Sequence, residues 1–167
     1  MLEQRFGKAN VRVEPFPQPE GEVSPGLLLF PDDPARRLRV MLDGEDADAR
    51  VKLLELEDAG TRWQLEHGLR PGLTLAQLVA ANTAPLSFYG FAWDYGGSVH
   101  DWHGGRLANP VGAASYHHVE LAPVDPAALD GLPQGDSSFR SDDARWPGLA
   151  EQVVVARVSI SWPEAGD

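Results

Sequence analysis

Cysteine is absent from the 167 residues, which excludes disulfide staples, thiolate metal sites and cysteine nucleophiles. Basic charge is scarce. Fourteen Lys and Arg stand against 25 Asp and Glu, a formal charge of -11 that repels phosphate backbones and anionic lipid rather than gathering them. No nucleic-acid partner is expected. Nor is a membrane span: no apolar run approaches the roughly 18 residues a membrane helix needs, the longest being Gly26 to Phe30 and Val153 to Ala156. Met1 to Gly7 lacks the basic start and apolar stretch of a secretory leader. Leu2, Phe6 and Gly7 read instead as the last turns of a helix, so the expectation is a start placed after a removed leader. Lysine is nearly missing too, with only Lys8 and Lys52, and no mechanism attaches to that.

What is present is the composition of one domain, 1-167, with 43% hydrophobic and 23% charged residues, enough to bury a core. Val11 and Val13 alternate with Arg12 and Glu14, and Gly26 to Phe30 reads as a strand buried on both faces. Leu38, Val40 and Leu42 alternate with Arg37, Arg39 and Met41, the period of a half-buried strand. Asp43-Gly44 turns the chain, Arg50 to Leu56 returns, and Thr61 to Leu65 reads as a third strand. Arg36, Arg37 and Arg39 form a local basic patch that reads as solvated surface.

Leu73-Thr-Leu-Ala-Gln-Leu is a capping box: Thr74 and Gln77 can satisfy each other's amides, with Leu73 and Leu78 at the staple positions. A helix is predicted from Thr74, stopped by Asn82 in a left-handed conformation and by Pro85. It is too short to stand alone in water, so it needs a sheet to pack on. Beyond Leu86 the period returns to two, around the paired glycines Gly96-Gly97 and Gly104-Gly105, and predicts a three-strand meander, with Tyr116 to Leu121 as a further strand. Residues 123-148, rich in Pro, Gly, Asp and Ser, read as a surface loop with at most a helical turn near Pro126 to Leu129. The C-terminal strand, 152-162, is expected to put Val154, Ala156, Val158, Ile160 and Trp162 on one face. The fold class is therefore α+β, with two layers and short helices packed on antiparallel sheet. The order of helix then meander occurs twice, and Leu2, Gln4, Ala9 and Asn10 echo Leu75, Gln77, Ala81 and Asn82. An internal repeat of 1-66 and 67-122 is the expectation.

Tyr89, Phe91, Trp93 and Tyr95 fall on one parity within Gly90-Phe-Ala-Trp-Asp-Tyr-Gly-Gly. Such a row either fills the core beneath the helix or forms a stacking platform for a sugar, a peptide or a partner side chain. The core reading suits Phe91 and Trp93, while the hydroxyls of Tyr89 and Tyr95 need partners. Asp94 is expected to cap the glycine turn. The candidate binding surface is Tyr89, Trp93, Asp94, Tyr95, His100 and Trp102. His100, Asp101 and His103 suggest a metal, but strand alternation separates His100 from the other two, and His117 and His118 likewise point apart. No metal or other cofactor is expected.

Ser98, Ser115, Ser137, Ser138 and Ser141 lie in no Gly-x-Ser-x-Gly or Ser-x-x-Lys setting. There is no P-loop and no Gly-x-Gly-x-x-Gly. Ser141-Asp-Asp reads as a cap, and the acidic pairs Asp32-Asp33, Glu45-Asp46 and Asp142-Asp143 as solvated loops. No catalytic residue is assigned. A non-enzymatic binding module is favoured, and the alternative is a hydrolase using Asp94 or Asp101 with a nearby histidine as acid and base.

Phe6-Gly-Lys-Ala-Asn-Val, Leu29-Phe30-Pro-Asp-Asp-Pro, Arg62-Trp63, Gly72-Leu-Thr-Leu-Ala-Gln-Leu, Gly90-Phe-Ala-Trp-Asp-Tyr-Gly-Gly and Ser141-Asp-Asp together resemble an uncharacterised family of exported bacterial proteins, many of them lipoproteins. The resemblance covers most of the chain and implies an envelope or periplasmic location, a protein or cell-envelope ligand as partner, and no particular activity. The layout, helix plus meander twice over, is similar to beta-lactamase-inhibitor-like domains and small outer-membrane assembly lipoproteins, a likeness of fold that does not decide function.

Overall fold

A computed structural model describes residues 2–17, 23–46 and 48–162. The elements in order are α1 (Leu2–Phe6), β1 (Val11–Val13), β2 (Phe16–Pro17), β3 (Val23–Ser24), β4 (Gly26–Leu29), β5 (Leu38–Leu42) and β6 (Val51–Leu56). They continue with α2 (Leu75–Asn82), β7 (Ser87–Tyr89), β8 (Val99–Asp101), β9 (Tyr116–Pro123), β10 (Ser138–Arg140), α3 (Leu149–Gln152) and β11 (Val153–Ser161). Six strands form one antiparallel sheet in the order β1-β4-β5-β6-β11-β9, and three form a second, β10-β7-β8. The fold is α+β.

Beneath α1 the large sheet buries a small cluster of Leu29, Phe30 and Val40, against which Leu2, Phe6, Val11 and Leu54 pack. Phe16 covers the opposite face of β4, where Leu28 is also buried, and a methyl group on Gly26 would collide with that ring. The strand at Gly26 is thus covered on both sides, as its unbroken apolar run predicts. Its arginine-rich neighbour is less exposed than alternation suggests. Arg37 pairs with Asp58 at 3.3 Å, Arg39 with Glu57 at 3.2 Å, and the Arg36 guanidinium sits 3.7 Å from the centre of the Phe30 ring.

The larger core lies at the other end, where Leu75 and Leu78 of α2 meet Val119 and Leu121 of β9, Val153, Val155 and Val158 of β11, and Phe88 of β7. Both hydrogen bonds of the Thr74–Gln77 capping box are present, at 3.0 and 3.2 Å. The helix stop differs from expectation: Thr83, not Asn82, takes the left-handed conformation (φ 61°). Asn82 is fully buried instead. Its Nδ2 donates to the carbonyls of Ala84, Pro85 and Trp102, and its Oδ1 accepts from the Leu107 amide. One side chain therefore ties the helix end to β7, β8 and the following loop, and satisfies groups that would otherwise be buried unpaired.

Three further expectations are corrected. Thr61 to Leu65 forms no strand, because β11, from the far end of the chain, occupies the edge of β6 that it would need. Residues 123-148 run along the surface and carry the helical turn at Pro126–Gly131, but they are more than a loop: β10 pairs with β7, Leu132 is 2% exposed, and the Phe91 amide donates to the Pro133 carbonyl at 2.8 Å. In β11 the pairing with β9 shifts between Val155 and Arg157. That bulge resets the alternation, so Val153, Val155 and Val158 face the core rather than Val154, Ala156 and Val158. Among the described residues no helix is long and apolar enough to cross a membrane.

Candidate functional site

The small sheet carries the residues that the sequence singles out. Cross-strand partners share a face, so the pairs Ser138–Tyr89, Arg140–Ser87 and Ser87–Asp101 set these side chains on one side. Phe88, Phe139 and Val99, on the other side, belong to the core or pack against it. The register of β7 on β8 slips between Ser87 and Phe88, which leaves His100 as an extra residue. A bulge of this kind breaks strict alternation. His100 therefore lies on the outer side with Asp101, contrary to the expected separation: its Nε2 is 2.9 Å from the Ser138 hydroxyl and its ring lies 4.5 Å from that of Tyr89.

From Tyr89 the aromatic contacts continue. The Trp93 ring stands edge-on to Tyr89 at 5.6 Å, and Tyr95 edge-on to Trp93 at 5.4 Å. His100, Tyr89, Trp93 and Tyr95 thus form one ladder of rings, ending on Tyr95 at 65% exposure. They do not share a single strand, as alternation implies. β7 ends at Tyr89, Phe91 is core at 3% exposure, and Trp93 and Tyr95 hang from the loop that follows. Trp102 leaves the candidate surface altogether, being 8% exposed and part of the core. Asp94 is exposed and does not cap the turn through its side chain; the Gly96 amide donates to the Trp93 carbonyl instead.

Two glycines of the motif explain how the loop is held. Gly97 has φ +80°, and a Cβ there would lie 2.0 Å from the Leu121 carbonyl oxygen. Its amide donates to Tyr89 and its carbonyl accepts from Leu121, so this residue joins the small sheet to β9. A Cβ on Gly90 would meet the backbone of Gln134 and Gly135 at 2.7 Å. Both positions need a residue without a side chain.

Beside the ladder lies an arrangement that sequence reasoning missed. Ser87 Oγ is 2.8 Å from His103 Nε2, and His103 Nδ1 is 3.5 Å from Asp101 Oδ2, while the His103 amide donates to Asp101 Oδ1 at 2.7 Å. The order is that of a nucleophile, a base and its orienting carboxylate. Ser87 is only 5% exposed, however, and the carboxylate–imidazole distance exceeds a good hydrogen bond. As it stands, the trio pins the left-handed turn at His103 (φ 49°) onto the sheet. No motif around Ser87 announces it; only the pairing of Ser87 with Asp101 brings the three together.

The other predicted groups are dispersed. His118 contacts the Ser161 hydroxyl at 3.1 Å, while the His117 ring packs edge-on to Trp102 at 5.7 Å. Burial holds the His117 imidazole below its usual value, with a hydrogen bond to the Leu107 backbone opposing in part, so the ring is neutral near pH 7. Among the described residues no three His, Asp or Glu side chains come together as metal ligands. Asp143 accepts the Arg145 amide at 3.0 Å, the turn-capping role that Ser141-Asp-Asp suggests, whereas Ser141 accepts the distant Leu86 amide at 3.1 Å and caps neither helix nor turn.

Compared with known proteins, the chain matches no family, no curated protein and no solved structure.

Proposed function

We propose that the protein is a non-enzymatic binding module of the bacterial envelope, whose contact surface is the ladder Tyr89, Trp93, Tyr95 and His100. The observation that carries this reading is Tyr95, a large ring 65% exposed at the end of three successive ring contacts. Rings held against one another offer wide contact area with little side-chain entropy left to lose. Asp94, also exposed, and the hydrogen-bonded pair His100–Ser138 supply polar groups around them. The envelope setting is supported by the resemblance of the glycine–aromatic motif to exported bacterial proteins. The partner is a protein or an envelope ligand.

Tyr95→Ala removes an exposed side chain, so its melting temperature is expected to match the parent, while capture of the partner from an envelope extract is lost. If the variant stays folded and retrieves the same molecules as the parent, the surface lies elsewhere.

A second reading, hydrolysis, has one specific observation behind it, the Ser87–His103–Asp101 order. A fluorophosphonate probe separates the two. The binding reading expects no label on Ser87 because the hydroxyl is covered; labelling that disappears in Ser87→Ala and in His103→Ala would establish a nucleophile.

A further inference from the structure

The face of an aromatic ring carries a negative potential that attracts cations. This chain uses that attraction three times in its first half: the Arg5 guanidinium lies 5.7 Å from the centre of the Phe6 ring, Arg36 3.7 Å from that of Phe30, and Arg39 4.4 Å from that of Phe16. Among the described residues no Lys or Arg lies over a ring of the ladder. The chain has almost none to place there, since between Arg70 and Arg140 the only Lys or Arg is Arg106.

The charge around the ladder has one sign. Asp94 stands between Trp93 and Tyr95 in the loop, exposed and in no ion pair among the described residues. Asp136 is likewise exposed, and follows Gly135, whose carbonyl lies against Gly90. Arg140, on the outer face of the small sheet, is already engaged by Asp142 through two contacts of 2.9 Å. Tyr95, at 65% exposure, keeps a ring face open to solvent. Successive ring centres from His100 to Tyr95 are 4.5, 5.6 and 5.4 Å apart, a reach of about four residues of extended peptide at roughly 3.3 Å each. That is longer than a lone ammonium ion requires.

Taking the ladder as the contact surface, we propose that it receives a basic, arginine-bearing segment of a partner protein, with a guanidinium stacked on the open face of Tyr95 and its charge answered by Asp94. Arginine suits the site better than lysine, because its planar and weakly hydrated guanidinium stacks on a ring. The formal charge of -11 draws such a partner in and repels an acidic one.

The probe is a short peptide with blocked ends, Gly-Arg-Gly-Arg-Gly, set against its citrulline analogue, which keeps the planar shape and loses the charge. Binding to the full chain at low ionic strength is followed by tryptophan fluorescence, because Trp93 stands against Tyr95. Saturable binding of the arginine peptide is expected, about tenfold tighter than the citrulline peptide. Tyr95→Leu keeps apolar area without the π face and should bind the arginine peptide about two- to fivefold more weakly, whereas Tyr95→Phe should bind it as the parent does. Asp94→Asn should weaken binding about twofold. Asp46→Asn, the same loss of charge in the turn between β5 and β6, should leave it unchanged. The proposal is overturned if the arginine peptide does not saturate at millimolar concentration, if citrulline binds as well, if Tyr95→Leu equals the parent, or if Asp94→Asn and Asp46→Asn act alike. Failure of the binding reading looks different: Tyr95→Ala would then retrieve the parent's partners from an envelope extract. If that capture is lost while arginine and citrulline peptides bind the parent alike, the ladder is the contact surface and only its cationic partner is wrong.

Discussion

The two ends of the large sheet are each covered by a short helix and are held with different force. At the α1 end the helix contributes no buried residue, and the fully enclosed cluster is Leu29, Phe30 and Val40. At the α2 end Leu75, Leu78 and Asn82 are all at 0% exposure, inside a cluster that spans α2, α3, β6 to β9 and β11. The difference lies in what covers each helix. α1 has sheet on one side only, whereas α2 is enclosed by β11, α3 and the loop that returns from β8. Since burial supplies most of a short helix's stability, the second end is expected to form the rigid part of the molecule, and it is the end that carries the aromatic ladder.

The sharpest way to break that rigid end is Gly97→Ala. The new methyl group meets the Leu121 carbonyl at a backbone angle that suits glycine alone, and the expected loss is about 3 kcal/mol or more. Gly60→Ala, at the turn after β6 with open space around its Cβ position, should change stability by less than about 1 kcal/mol. Urea unfolding of the two variants measures both. Equal losses would mean that the joint between the small sheet and β9 is unimportant.

Asn82 and Asn10 sharpen the comparison further, because Asn82 ends α2 and Asn10 closes the turn that follows α1. Asn82→Ala strands the buried Leu107 amide and the Trp102 carbonyl and should cost about 3 kcal/mol. Asn10 donates one bond, to the Phe6 carbonyl at 2.8 Å, in a half-buried place, so Asn10→Ala should cost about 1 kcal/mol or less. A reversed order, read from denaturation midpoints, would contradict the assignment of the stronger core.

The smallest effect lies on the outer face between the two ends. Glu55 and Glu57 of the β6 region, Arg39 of β5, and Arg157 and Glu120 beyond form one network of ion pairs there. Burial pushes Glu55 above its ordinary value of 4.5, against the pull of Arg157 and Arg39. The native state therefore holds this proton more tightly than the unfolded chain does. The group's contribution to stability is whole below pH 4.5 and is lost as pH rises through the raised native value. Glu55→Gln lacks that slope, so its stability relative to the parent should climb with pH across the same window. A flat difference between the two profiles would show that the carboxylate is effectively solvated.

Local chemistry was fully legible where it is self-contained. The capping box at Thr74 needs only residues within one turn, and β4, β5 and β6 fall where their apolar patterns place them. The candidate site was legible in part. Tyr89, Trp93, Tyr95 and His100 do gather, but as a ladder that leaves the strand, not as a row along it. Two of the errors share one cause: a bulge advances the chain by one residue without any local signal, and it reversed the reading at both His100 and Val154. Trp102 was misplaced for a related reason, since its burial depends on β9 and on the His117 ring lying against it.

Composition and periodicity by themselves determined that this chain is an acidic α+β protein with antiparallel strands, one well-capped helix and an aromatic glycine-rich segment, because each of these depends on neighbours a few residues apart. Tertiary structure alone decided that β11 closes on β6, that Ser87 meets His103, and that His117 turns a lone ring nitrogen toward the interior. Those outcomes depend on which strand edge is left free and on where a register slips. Both are settled by pairing across tens of residues, which no short stretch of sequence records.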